Sequence, residues 1–111
     1  MYNLIGENFI NAIRSIIPDA KIASGGKELV IRCTFCGDSN NPRHAHFYIS
    51  VPQTQDELSF YHCKRCPAHG IVDDDLLRKI GCSDSNFLID IVKHNSEVLS
   101  LPKYKSLKKI N

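Results

Sequence analysis

The chain has 111 residues, of which 42% are hydrophobic and 23% charged, and its formal net charge is +2. This length holds one small domain and excludes a large enzyme fold, while the composition is that of a folded protein. Because there is no apolar run of roughly 18 residues and no signal-peptide pattern, we expect a cytoplasmic protein without membrane contact.

The first predicted element is an amphipathic helix over residues 4–17. Apolar side chains recur there at the spacing of one helix face: Ile5, Phe9, Ala12, Ile13, Ile16 and Ile17. Pro18 ends the helix because proline disfavours helical geometry in the preceding residue. After a Gly-Gly turn, residues 28–32 predict a strand that leads directly into Cys33.

The middle of the chain predicts two further strands joined by the polar residues 53–57. Residues 44–51 alternate, with Ala45, Phe47, Ile49 and Val51 on one face and His46, Tyr48 and Ser50 on the other. Residues 58–62 form a strand that ends in Cys63. The pattern indicates a small antiparallel sheet with one packed face and one polar face.

The last third of the chain predicts two helices. The first begins near Val72, where three aspartates complement the positive end of a helix dipole, and it stops at Gly81. Ser83 or Ser85 is expected to cap the second. Its apolar positions are Phe87, Leu88, Ile91 and Val92, with Lys93 and His94 near its end.

These elements divide the chain into four parts. Residues 1–26 form a helix and turn, 27–81 the cysteine-bearing domain, 82–100 a C-terminal helix and 101–111 a basic tail. The tail contains Lys103, Lys105, Lys108 and Lys109 without an acidic neighbour. Both a solvated linker and phosphate contact fit this charge pattern.

Four cysteines form two Cys-x-x-Cys turns separated by 26 residues, and each turn begins where a predicted strand ends. The four are Cys33, Cys36, Cys63 and Cys66. Zn²⁺ binds four thiolates tetrahedrally at about 2.3 Å, and the two-residue spacing aims both sulfurs of a turn at one point. We therefore predict one structural zinc ion. With four protein ligands, it has no open position for catalysis.

Other assignments of these residues compete with zinc. An iron-sulfur cluster or a redox-active Cys-x-x-Cys uses the same side chains, although two matched turns around a hairpin favour zinc. His62 or His69, which flank the second turn, is an alternative ligand. The fifth cysteine, Cys82, is interpreted as a half-buried thiol without a role in the site.

The residues around the cysteines resemble the zinc-binding domain of bacterial and bacteriophage DNA primases. The similarity covers roughly residues 27–80 and rests on three segments: 33–42, with a proline after the first turn; 46–49, His-Phe-Tyr-Ile; and 60–70, with an aromatic-His-Cys approach to the second turn. Cys36 stands where cellular primases usually carry histidine, as in phage variants with four cysteines. The resemblance implies an α+β fold, a zinc ribbon on a small antiparallel β-sheet flanked by α-helices.

In that family the domain engages single-stranded DNA template and passes the primer to a separate catalytic domain. The resemblance thus implies these partners, in cis or in trans, with a replicative helicase as a further candidate. Aromatic stacking and basic contacts bind single strands. The candidate contact residues are Arg32, Arg43, His44, His46, Tyr48, Tyr61, Lys64 and Arg65.

Catalytic activity is not expected from these residues alone. A primase needs carboxylates that hold divalent metal ions, whereas the only dense cluster, Asp73 to Asp75, is explained by its position at a helix start. Two alternatives stay open: a zinc-ribbon protein-interaction module of a replication or transcription accessory protein, and thiol redox chemistry.

Overall fold

The computed structural model describes residues 4–33, 35 and 45–104, and it confirms the α+β class. The elements are α1 (Gly6–Ile16), β1 (Lys21–Ala23), β2 (Glu28–Ile31), β3 (Phe47–Ser50), β4 (Phe60–Cys63), β5 (His69–Ile71), α2 (Asp74–Lys79) and α3 (Ser85–Leu99). Within the described ranges, 3₁₀ turns lie at Ser24–Gly26 and Pro102–Tyr104. The five strands form one antiparallel sheet in the order β1-β2-β3-β4-β5.

The sheet has a packed face and an open face. Along β3, Phe47 and Ile49 are buried whereas Tyr48 and Ser50 are only half-buried, as the predicted alternation requires. The register pairs Tyr48 with His62 of β4, so these two side chains share the open face. No described side chain on that face is buried.

The core lies between the packed face and the helices. The buried side chains of α1 are Phe9, Ile10 and Ile13. They join one apolar cluster with Leu29 and Ile49 of the sheet. None of the helices in the described ranges is long and apolar enough to cross a membrane.

The structure corrects the predicted starts and ends of several elements. Neither β1 nor β5 was predicted, and the predicted strand 58–62 is shifted to Phe60–Cys63. Part of the predicted strand 44–51 lies outside the described residues.

The helix α3 differs from its prediction in the residue that caps it and in which side chains are buried. The carboxylate of Asp84, and neither Ser83 nor Ser85, accepts the N-terminal amides of α3. In α3, Val92 is 47% exposed, and His94 is buried well before the helix ends.

Candidate metal centre and open sheet face

Three cysteine sulfurs lie together where β2 and β4 end. The Sγ atoms of Cys33, Cys63 and Cys66 are all within 4.8 Å of one another. Cys33 Sγ and Cys66 Sγ are 3.7 Å apart, and all three cysteines are outside any disulfide. Sulfurs bound to one tetrahedral Zn²⁺ lie roughly 3.8 Å apart. The cluster can therefore hold a metal ion; Cys36, the fourth predicted ligand, falls outside the described residues.

Backbone amides point at two of these sulfurs, those of Cys33 and Cys63. The N–H of Phe35 donates to Cys33 Sγ at 3.3 Å, and the N–H of Arg65 donates to Cys63 Sγ at 3.3 Å. Burial raises the pKa of the Cys63 thiol, but hydrogen bonds from the backbone of Arg65 and Cys66 and from the neighbouring thiols outweigh burial and lower it. A lowered thiol pKa increases the fraction of thiolate, the form that binds metals.

An aromatic cluster supports the first cysteine turn from the packed face. Phe35 stacks on Phe47 and on Tyr61, with ring centroids 6.1 and 5.9 Å apart. The Nζ of Lys79 lies 4.7 Å from the centroid of the Phe35 ring and adds a contact from α2. Because Phe35 follows Cys33 by two residues, these contacts hold the turn against the sheet.

The open face carries a stacked aromatic pair beside a cation. The rings of Tyr48 and His62 are nearly parallel, at an angle of 10°, and their centroids are 5.3 Å apart. The Nζ of Lys64 lies 4.4 Å from the centroid of the Tyr48 ring. Phe60, two residues before His62 on β4, faces the same way and is 43% exposed. We call Tyr48, Phe60, His62 and Lys64 the aromatic platform.

The predicted nucleic-acid contacts do not all share this surface. Tyr61 lies on the packed face, where it stacks on Phe47 at 5.3 Å. Arg32 and Arg65 are exposed just after β2 and β4. His46 is half-buried, and its carbonyl accepts the N–H of Lys64. Arg43 and His44 lie outside the described residues.

Two platform residues, Phe60 and His62, were not among the predicted nucleic-acid contacts. The sequence predicts His62 as an alternative metal ligand and Phe60 as part of a strand. The alternation of β4 separates Phe60 and His62 from Tyr61, and this signal was present in the sequence. What the sequence lacked was the register that sets His62 opposite Tyr48.

Comparisons with models of protein families, with curated proteins and with solved structures find no match to this chain. The class of protein is therefore defined by its own features: an α+β domain that carries a cysteine cluster able to hold a metal ion.

Proposed function

We propose that this chain is the zinc-binding domain of a DNA primase, which engages single-stranded template and assists primer initiation by a separate catalytic domain. The observation that carries the proposal is the aromatic platform, in which Tyr48 and His62 stack beside Lys64 on the open face. Exposed aromatic rings stack on unpaired bases and a nearby lysine attracts phosphate, a combination that binds single strands with little sequence preference.

The proposed metal is Zn²⁺, with Cys36 as the fourth ligand. Four thiolates form a closed tetrahedral site, so the ion would stabilise the fold and take no part in catalysis. In the register of β3 and β4, Cys63 pairs with Phe47 and His62 with Tyr48. A metal held by Cys63 would therefore fix the strand pair that presents the platform on its other face.

The acidic residues of α2 support placing primer synthesis in another domain. The carboxylate of Asp73 accepts the N–H of Leu76 as a helix cap at 2.9 Å. Asp74 Oδ2 accepts a hydrogen bond from Arg78 at 2.8 Å. Both carboxylates therefore have structural roles. The catalytic domain is proposed to act in cis or in trans, and a replicative helicase is a further proposed partner.

The test is a titration of zinc-loaded protein with labelled single-stranded and duplex oligonucleotides at several salt concentrations. We expect preference for single strands. Tyr48→Ala should weaken binding by about 1–3 kcal/mol without changing the salt dependence, because it removes a stacking ring and no charge. Lys64→Gln should reduce the slope of log affinity against log salt concentration by about one, because one phosphate contact is lost. Lys93→Gln on α3, away from the platform, is the control.

Zinc content and melting temperature must be unchanged in each variant for the comparison to count. If correctly folded Tyr48→Ala and Lys64→Gln proteins bind single strands as the wild type does, the platform is not the binding surface. That result would favour the protein-interaction alternative.

A further inference from the structure

A groove of about 570 Å³ lies between α1 and β1, away from the cysteines and the platform. On one side it is lined by Ile10 and Arg14 of α1, and on the other by Ile22 of β1 and the glycine turn that follows. Clefts of this size are in the range that holds ligands. The groove is bordered by the outer strand of the sheet.

The backbone N–H and C=O of Ile22 lie on the outer edge of β1, the edge that borders the groove. Among the strands of the described residues, β1 is an edge strand and is paired only with β2. The N–H of Val51 donates to the carbonyl of Lys27, so Lys27 C=O points toward β3, and the next residue, Glu28, turns toward β1. The register then makes Ala23–Glu28 and Lys21–Val30 the hydrogen-bonded pairs. The N–H and C=O of Ile22 consequently point outward, where they are available to another strand.

The side chain of Ile22 is also half-exposed. It is 50% exposed although Leu29, its partner in the register, is completely buried. A Cβ added at Gly25 or Gly26 would meet no atom within 4 Å, so the turn leaves room beside the strand. An aliphatic side chain from an added strand would bury the exposed part of Ile22.

Charge identifies the kind of strand that fits. Arg14 is exposed and has no ion pair with any described carboxylate. Glu7 also lines the groove, but it lies two helical turns earlier, about 10 Å along the axis, a distance over which salt largely screens its charge. The β1 strand of a second copy, Lys21–Ala23, carries no acidic side chain that could pair with Arg14.

We propose that this groove binds an extended segment of a partner protein, which adds as a sixth strand beside β1. The segment pairs with the backbone of Ile22, covers its side chain with an aliphatic residue and sets an acidic residue against Arg14. Strand addition of this kind takes affinity from main-chain bonds and specificity from side-chain contacts. This inference goes beyond single-strand binding and does not depend on it.

The test uses zinc-loaded, isotope-labelled protein and synthetic octapeptides of alternating valine and threonine with one central aspartate. Saturating peptide should slow hydrogen exchange of the Ile22 amide at least about tenfold, because that amide becomes hydrogen-bonded. A matched peptide with lysine in place of aspartate should bind roughly five- to tenfold more weakly. Arg14→Gln should abolish this difference, whereas Lys93→Gln should leave it unchanged.

A peptide N-methylated at every residue should not protect Ile22, because neither of its edges can form the main-chain bonds. Unchanged exchange at Ile22 with millimolar aspartate peptide would overturn the proposal, as would equal binding of the N-methylated peptide. Protection of the Ile22 amide that rises with protein concentration in the absence of peptide would overturn it in favour of pairing between two copies. Oligonucleotide binding by the same Arg14→Gln protein separates this result from the proposed function, since Arg14 is not part of the platform.

Discussion

His94 and Asn95 are polar side chains buried near the middle of α3. His94 Nε2 lies 2.7 Å from the carbonyl of Glu57, and since a carbonyl only accepts, Nε2 carries the proton. Asn95 Nδ2 donates to the carbonyl of Val72 at 3.0 Å. The two bonds attach α3 to the segments before β4 and after β5, which apolar contacts alone would position less specifically.

Replacing His94 by alanine should therefore destabilise the protein. We expect a loss of about 2–4 kcal/mol, because the change leaves a cavity and removes the partner of a partly buried carbonyl. Lys93→Ala is the matched control, since Lys93 is the exposed neighbour on the same helix and should cost less than about 0.5 kcal/mol. Urea denaturation of both variants measures the difference. Equal stability of the two would contradict the role given to His94.

The ionisation of Asp56 depends on two of its neighbours. A hydrogen bond from the Thr54 hydroxyl, together with the hydrogen bond and charge of Lys103, lowers the pKa of Asp56 below its ordinary value of 3.8. A lowered folded-state pKa means that its stabilising contribution is present above about pH 4 and is lost as pH falls through the folded value. The carboxyl is fully exposed, so the contribution is small.

In Lys103→Gln we expect the pKa of Asp56 to rise, yet to remain below the ordinary value because the Thr54 bond persists. A carboxyl titration followed by NMR measures this shift directly, with Asp90 on α3 as an internal reference. An unchanged pKa of Asp56 would show that Lys103 does not contact it in solution.

At the scale of elements, α2 depends on its N-cap because it has only six residues. Short helices are marginal without tertiary contacts and capping. The Asp73 side chain accepts the N–H of Leu76, which places Leu76 and Leu77 in the core. Asp75, in the first turn, is 89% exposed at its side chain and makes only a long contact with Arg78, at 3.5 Å.

Asp73→Ala should cost about 1 kcal/mol, the usual contribution of an N-cap. Asp75→Ala should lower the free energy of unfolding by only a few tenths of a kcal/mol, because the variant loses only an exposed ion pair and a favourable contact with the helix dipole. Chemical denaturation distinguishes the two variants. If Asp75→Ala is the more damaging, the interpretation of the aspartates as a helix start is wrong.

The stability of the whole molecule should depend on the proposed zinc ion. Structural zinc contributes on the order of 10 kcal/mol to folding in model peptides. The apolar cluster contains Cys33 and Cys63 and extends well beyond them, to Phe9, Leu29 and Ile49. We therefore expect chelation to lower the melting temperature strongly and to disorder the turns at Cys33 and Cys63 first.

Cys63→Ser should lose the metal and show the same low melting temperature. Cys82→Ser is the control, because Cys82 is buried outside the cluster and should leave the metal in place. Elemental analysis and thermal melting of both proteins provide the measurements. A Cys63→Ser protein that keeps one metal ion and its melting temperature would exclude the proposed centre.

Patterns within single segments were sufficient for much of this fold. The 3.6-residue spacing around Phe9 and Ile13 predicted α1, and the two-residue alternation through Phe47 and Ile49 predicted β3 with its correct packed face. The Cys-x-x-Cys spacing predicted the cluster that unites Cys33 with Cys63 and Cys66. These features follow from local spacing, or from two short motifs of the same kind, so the sequence determined them by itself.

Tertiary structure decided the remainder. The strands β1 and β5 have three residues each, too few for a pattern, and they exist because neighbouring strands supply their hydrogen bonds. The platform forms because the register places His62 opposite Tyr48. The groove forms because α1 lies beside an edge strand. Burial of His94 depended on a carbonyl 37 residues away in the chain. Such relations join distant segments, and no local pattern encodes which distant groups meet.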